Sequence, residues 1–418
     1  MEFITNETCP VTRSITTNQT IALQEPTILA AIRPAGNRRS ANKRTAASPA
    51  FTVERITDEA ALDAIRDDWN ELLRSSRADC LFLTWEWAAT WWKYLGAPGR
   101  LIVLAVRDGG ELIALAPFLL RPSRLLKKQP FPVLEFLGSG FAGSDYLDVI
   151  VRQGYEADAV DALARECSSY RRMRRSSFKW SNVLRTSSLA AVIASRLEAG
   201  GCSLDEIQTN ICPYIPLEGH SWESYLASLG AEHRSDFKRK RNRLNRDFDV
   251  RFEAAQSAEE CAESIDLLIE QHNLRWRHRG GSDAFHTPEL VAFHRELCQV
   301  ALGKGWLRLY VLSLNGKPAA SLYGFLYGGK FYFYQSGFDI AYEKYSVGMI
   351  TMGLAIQSAI GEGAREYDLL HGDETYKSHW SRHHRELSRL EMYPAGIRGF
   401  IYRSSIALAR AAQTAVRK

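Results

Sequence analysis

Four ionisable side chains crowd the run Asp368-Leu369-Leu370-His371-Gly372-Asp373-Glu374, directly after an apolar stretch that reads as a strand. Strand ends in mixed sheets are frequent positions for active-site groups. Any of the four can take a proton from an amine or hydroxyl as it attacks an activated carbonyl. Asp373 is the first candidate for that base and His371 the second, with Asp368 and Glu374 behind them. Lys377, next to Tyr376, can hold a phosphate or carboxylate. The plainer alternative is a polar loop whose acids cap nearby backbone. Four histidines (His371, His379, His383 and His384) fall in or near this run. Their spacing matches no closed zinc pattern, so no metal is expected.

A second run, 319–363, brings two strands to a loop and then a helix beginning near Val347-Gly348. The first turn of a helix offers free N–H groups and the positive end of the helix dipole, which together can hold a diphosphate. Lys344, Ser346, Val347 and Gly348 are the residues concerned, against the alternative of an ordinary loop capped by Ser346. No GxGxxG or P-loop pattern is present. Backbone N–H groups near Gln335, Ser336 and Gly337 could stabilise an oxyanion. In 233–246 a helix would gather Phe237 and Leu244, with Phe248 beyond it, toward one face and leave cations, Lys238 and Arg241 among them, on the rest. Such a surface attracts phosphates, or is simply solvated. In 271–280, Arg275 and Trp276 could line an acceptor pocket or pack inward. Arg171, Arg172, Arg174, Arg175 and Lys179 read as a basic surface loop.

The elements that must position these groups follow from periodicity. In the first part, a strand at 51–54 precedes helices at 59–74 and 85–95, and a hairpin turns at Asp108-Gly109-Gly110. A strand at 145–151 and a helix at 156–168 follow. In the second part, helices at 221–229 and 232–247 precede a strand at 250–255 and helices at 258–276 and 288–301. Strands at 306–313, 318–327 and 330–337, a helix at 347–361, strands at 365–370 and 386–394 and a helix at 400–414 complete the chain. LIVLAVRDGGELIALAPFLL and LRLYVLSLNGKPAASLYGFLY each read as strand, glycine turn and strand. Two copies of one mixed α/β unit explain this better than one large domain. The expected division is a disordered tail at 1–50 (a short strand at Ile21–Leu23 being conceivable), units at 51–209 and 210–398, and a helical tail at 399–418. Pro213 and Pro216 break the pattern near the boundary. The glycine-rich loop Phe136–Ser144 could line an acceptor channel, and the cluster Trp85, Trp87, Trp91 and Trp92 fits packing between the units or a place near the cleft.

Composition sets the outer bounds. The 418 residues carry a net charge of +5, which permits an anionic ligand without requiring nucleic acid. No apolar run is long enough to span a membrane, and no signal pattern opens the chain, so membrane insertion is not expected and a cytoplasmic site is. Seven cysteines at wide spacing, with no C-x-x-C, fit a reducing compartment and buried thiols.

The run YGFLYGGKFYFYQSGFDIAYEKYSVGMITMGLAIQSAIGEGAREYDLLHGDETYKSHW resembles the bacterial acetyltransferase-like domains, related to the FemAB aminoacyltransferases, that are labelled CelD-like or BioF2-like. The similarity extends over roughly 60–395 and is sharpest over 225–385. It implies tandem GNAT modules, each a mostly antiparallel mixed sheet flanked by helices, and direct N-acyl transfer from acetyl-CoA or another acyl-CoA. It places the thioester where central strands splay and the diphosphate at Tyr345-Ser346-Val347-Gly348-Met349. Gly372-Asp373 and Tyr376-Lys377 match a part of the family's site. The usual Q/R-x-x-G-x-G/A loop is not kept, since 343–348 reads Glu-Lys-Tyr-Ser-Val-Gly. The family's members connect to cellulose or exopolysaccharide production, so the acceptor would be a small or sugar-linked amine and the protein a monomer or homodimer. The alternatives are transfer from aminoacyl-tRNA, a non-catalytic scaffold, or a nucleic-acid-binding protein.

Overall fold

The computed structural model describes residues 51–122, 131–174, 176–277 and 284–416, with side chains placed for all but 171–174, 275–277 and 409–416. The expectations for 1–50, Cys9 and Arg175 fall outside these residues. The strands are β1 (Thr52–Ile56), β2 (Arg100–Asp108), β3 (Glu111–Arg121), β4 (Val133–Phe136), β5 (Ile150–Val151), β6 (Ser177–Leu184), β7 (Ser203–Pro216), β8 (Val250–Ala254), β9 (Leu307–Leu314), β10 (Lys317–Tyr327), β11 (Lys330–Phe338), β12 (Glu366–Asp368) and β13 (His383–Tyr393). The helices are α1 (Glu59–Ala64), α2 (Arg66–Arg74), α3 (Trp85–Leu95), α4 (Glu156–Arg174), α5 (Leu189–Ala199), α6 (Trp222–Ser228), α7 (Ala231–Asp247), α8 (Ala258–Arg277), α9 (Pro288–Gly303), α10 (Val347–Gly361), α11 (Thr375–Trp380) and α12 (Ile397–Val416).

One mixed sheet runs through the molecule in the order β1-β2-β3-β4-β6-β13-β7-β12-β11-β10-β9-β8, with β5 beside β3. Two neighbouring pairs are parallel, β4 with β6 and β11 with β12, and the others are antiparallel. The long strands β7 and β13 pair with each other along their length in the middle. β13 also pairs with β6, and β7 with β12, so each takes a neighbour far from it in sequence.

Several expected elements needed correction. The strand expected at 145–151 shrinks to Ile150–Val151, because the polar residues before it are engaged as a loop. Asp148, for one, accepts the N–H groups of Val149, Leu189 and Ala190 at 2.7–2.9 Å. The basic cluster expected as a loop is the end of α4 together with β6, which carries Lys179. Pro213 and Pro216 do not end regular structure: they lie within β7, where the Pro213 carbonyl still accepts from Leu369 N at 2.9 Å. The helix at 59–74 divides at Ile65, whose φ of −100° and ψ of 9° leave the helical range.

Helices cover both faces of the second half of the sheet. On one face Met352, Ala355, Ile356 and Ala359 of α10 share a core with Phe237 of α7, Trp222 of α6, and Phe331 and Tyr367 of the sheet. On the other, α8 and α9 pack with α3 from the first half, where the Trp87 ring meets Phe293 edge-on at 5.5 Å. Trp87 and Trp91 are buried, while Trp85 and Trp92 are only partly covered. The six described cysteines are buried.

The α7–α10 contact depends on Gly353. A Cβ there would stand 2.3 Å from Phe237 Cε2, too close without movement of the ring. Gly353→Ala is expected to destabilise the protein by about 1–3 kcal/mol despite the better helix propensity of alanine. Phe237→Leu in the same chain should recover part of that loss in urea unfolding. Equal effects with and without Phe237 would show that the ring is not the obstacle.

Candidate active site

β11 and β12 run parallel only through Lys330–Tyr332 and Glu366–Asp368, and then part. Just past that point β11 carries a bulge. Tyr323 of β10 pairs with Gln335 but the next residue, Gly324, pairs with Phe333, which leaves Tyr334 as the extra residue. A bulge interrupts the ladder and re-aims its neighbours. It lies at the near edge of the segment expected to supply N–H groups. The Tyr334 hydroxyl donates to the carbonyl of Ala142, in the glycine-rich loop of the first half.

That loop closes over the splayed strands. Asp145 has a fully buried side chain, and the groups that satisfy it come from far along the chain. It accepts from His371 N at 2.9 Å, lies 2.8 Å from His371 Nδ1, and has the Cys212 thiol at 3.7 Å. The neighbouring Tyr146 hydroxyl donates to Asp368 at 2.7 Å. His371 is held between two left-handed residues, Leu370 at φ 54° and Gly372 at φ 131°. Left-handed backbone is uncommon for a branched residue such as leucine, and such strain concentrates at functional sites. The turn sends the imidazole back toward the first half.

A cavity of about 480 Å³ lies at this junction, lined from the second half by Tyr334, Gln335, His371 and Lys377 and from the first by Gly140, Phe141, Gly143 and Asn182. The Asp145 carboxylate beside His371 raises the imidazole's pKa above the ordinary 6.5, against the opposing effect of burial. A neutral His371 that donates Nδ1–H to Asp145 keeps its lone pair on Nε2, the arrangement a general base requires. The Lys377 ammonium is buried and donates to His371 O at 2.7 Å, with Glu374 at 2.9 Å. Asp368 is buried beside Tyr146 with Arg385 at 3.6 Å, and burial pushes its carboxyl up to about 6.

The residues singled out in sequence divide accordingly. His371, Glu374, Tyr376, Lys377 and Gln335 line the cavity. Asp373 is exposed and is not part of that lining. Asp368 sits under the site in its own buried network. Gly337 is where α8 approaches β11: a Cβ there would stand 2.9 Å from Gln271 Cβ and His272 N. Ser336 O lies 3.4 Å from His272 Nδ1. Arg275 and Trp276 end α8, and their side chains fall outside the described ones. Asp145 and Tyr334 were not singled out, although the glycines before Asp145 marked its loop.

Lys344, Ser346, Val347 and Gly348 lie apart from this cavity's lining, at the start of α10. Ser346 is left-handed at φ 56° and makes no side-chain cap. α7 crosses here with its cations. The Arg243 guanidinium stands 5.1 Å from the centre of the Tyr345 ring, Lys240 Nζ is 3.9 Å from Met349 Sδ, and Arg241 donates to Gln357 at 3.2 Å. Lys238 is exposed on the same helix. Among the described residues no three His, Cys, Asp or Glu side chains gather as metal ligands, and no helix is long and apolar enough to cross a membrane.

Residues 231–378, from α7 through most of α11, match the family described as acetyltransferase (GNAT) domain. Among solved structures the chain is similar to FemX, with 13% identity over 80% of this chain and 96% of that one at a TM-score of 0.57. It is also similar to a conserved protein of unknown function from Bacteroides thetaiotaomicron, with 15% identity over 81% and 100% at a TM-score of 0.50. At such identities the likeness shows the fold. No curated protein matches the chain. Residues 231–378 thus match a GNAT acetyltransferase domain, and the likeness to FemX shows the fold of the longer stretch around it.

Because the native pKa of His371 is raised, the His371–Asp145 pair stabilises the fold fully below about pH 6.5 and loses that contribution as pH rises through the native value. Asp145→Asn removes the charge while keeping the shape. Imidazole resonances followed by NMR across pH should show the His371 midpoint fall in the variant. An unchanged midpoint would mean that Asp145 does not set the charge state of His371.

Proposed function

We propose that the protein transfers an acyl group, acetyl in the first instance, from coenzyme A to an amine of a small or sugar-linked acceptor. The thioester enters the splay of β11 and β12, and the amine approaches from the cleft between the halves. His371, positioned by Asp145, takes the amine proton on Nε2 directly or through water. N–H groups at the Tyr334 bulge and Gln335 receive the oxyanion as the carbonyl becomes tetrahedral. The thiolate of coenzyme A leaves, and a proton returns to it. Lys377 fixes the loop that carries His371, and Tyr376 and Glu374 shape its rim. The observation that carries the reading is the His371–Asp145 pair set against a β-bulge at splayed parallel strands. Asp373, exposed beyond the lining, ranks behind His371 as the base.

The diphosphate belongs in this reading at the start of α10, on the N–H groups of Val347 and Gly348. Lys344 and the cations of α7, including Lys238 and Arg241, would supply positive charge. Tandem modules at 51–209 and 210–398 are part of the proposal. The sheet order supports them: from either edge it runs through four antiparallel strands to a parallel pair, and the last strands, β7 and β13, are exchanged at the centre. Membership of the CelD-like or BioF2-like branch, work on exopolysaccharide or envelope precursors and a cytoplasmic location belong to the same reading. The exposed cations of α7 favour one second reading, an aminoacyl-tRNA donor.

Calorimetric titration with acetyl-CoA, and separately with a charged tRNA, separates the two donors. Saturable acetyl-CoA binding is expected, reduced in Gly348→Trp and kept in His371→Ala. With an accepted amine, His371→Ala should lower kcat by about 10²–10⁴-fold. The wild-type rate should rise with pH through a midpoint above 6.5, because the base must be neutral to act. Binding of tRNA without acetyl-CoA would replace the donor, and full activity in His371→Ala would remove His371 as base.

A further inference from the structure

The first half holds a splay of its own. β4 and β6 pair in parallel only at Val133–Leu134 and Ser177–Phe178. The next residues, Glu135 and Lys179, already line a second cavity of about 480 Å³. It meets the cavity at His371 along shared walls, namely Gly140, Phe141, Asn182 and Asn210.

Apart from Arg389 Nε, which has the Glu391 carboxylate at 2.7 Å, two polar side chains in this second lining are buried without a hydrogen-bond partner among the described residues. They are Trp91 Nε1, in a side chain 1% exposed, and Ser139 Oγ, in one 7% exposed. Buried N–H and O–H groups are nearly always satisfied, so two orphans in one lining point to a ligand that satisfies them. The charges there are selective. The Arg121 guanidinium is held by Glu135 at 3.3 Å and by the Gly96 carbonyl at 3.1 Å, and Arg389 by Glu391 at 2.7 Å. Lys179 is exposed and makes no described ion pair, so it is the cation left for an incoming anion. Ser181, Thr209 and Asn210 add uncharged groups suited to hydroxyls.

We propose that this second splay is the acceptor subsite, and that it takes a polyhydroxylated amine carrying one anionic substituent, such as an amino-sugar phosphate. The ring would lie by Trp91, Ser139 and Asn210, the anion at Lys179, and the amine would reach His371 through the shared walls. This rests on the acyl-transfer reading, with the donor in the other splay.

The test is calorimetric titration of the full chain with glucosamine 6-phosphate, glucosamine 1-phosphate, glucosamine and putrescine, each with and without coenzyme A. At least one phosphate should bind, glucosamine about tenfold more weakly, and putrescine not measurably. Lys179→Ala should bring the phosphate down to the level of glucosamine. Trp91→Phe, which keeps the ring and removes the N–H, should weaken both sugars about fivefold. Both variants should bind coenzyme A as the wild type does, which also shows that they are folded. Coenzyme A binding with no sugar bound, or sugar binding indifferent to both substitutions, overturns the subsite and leaves the donor reading standing. Failure of coenzyme A itself to bind overturns the reading underneath.

Discussion

A carboxylate fully removed from water keeps its charge only if donors surround it, and for Asp145 those donors come from residues far along the chain. His371 gives two of them, one from its backbone and one from its ring, and Cys212 of β7 gives the third. Removing one partner from such a buried pair costs about 3–5 kcal/mol, so the loop of the first half and the end of β12 cannot separate cheaply. The residue beside Asp145 extends the same clamp, since Tyr146 reaches Asp368. Two residues later, Asp148 holds the first turn of α5. A five-residue segment, 144–148, thus ties the glycine-rich loop, α5 and the end of β12 to one position. The cavity is what remains between them.

The pairing of β7 with β13 at the centre of the sheet makes that clamp geometrically possible. Were the sheet divided at its centre, two strand edges would be left exposed, and exposed edges are prone to slip in register. Here β13 lies between β6 and β7, and the pairing of β7 with β13 runs from His383↔Tyr214 to Tyr393↔Ser203. Both splays then open toward the centre of one continuous sheet. The loop from one half reaches the strand end of the other because the crossed strands bring them side by side.

Much of the second half was legible in sequence, for physical reasons. β9, β10 and β11 are joined by Asn315-Gly316 and Gly328-Gly329, all four left-handed, and α10 has the bounds its apolar run suggested. β4, β6 and β7 escaped notice. β4 is only four residues long, β6 follows a basic helix end, and β7 holds two prolines and a mixture of polar residues that show no clean alternation. They are central strands whose pairing is settled by tertiary contact, which local periodicity does not record. The crowding of ionisable groups in 368–377 shows in the sequence, but the direction each one faces does not. Asp373 and His371 differ by two residues, and only the backbone turn decides which one faces the cavity. The partner of His371 lies 226 residues away, beyond the reach of any local pattern.

That separation also bears on how the charge state of the site is set. Near His371, the carboxylates of Asp145 and Glu374 favour the imidazolium, while burial and the Lys377 ammonium oppose it. Asp145 dominates because it is closest and lies in the drier environment, where Coulomb interactions are least screened. Glu374 is half exposed, so solvent weakens its effect. An imidazole governed by a buried charge so far away in sequence keeps its raised pKa only while the two segments are docked. The charge state of His371 is thereby coupled to an intact cleft, and the glycine-rich loop next to Asp145 also lines the cavity.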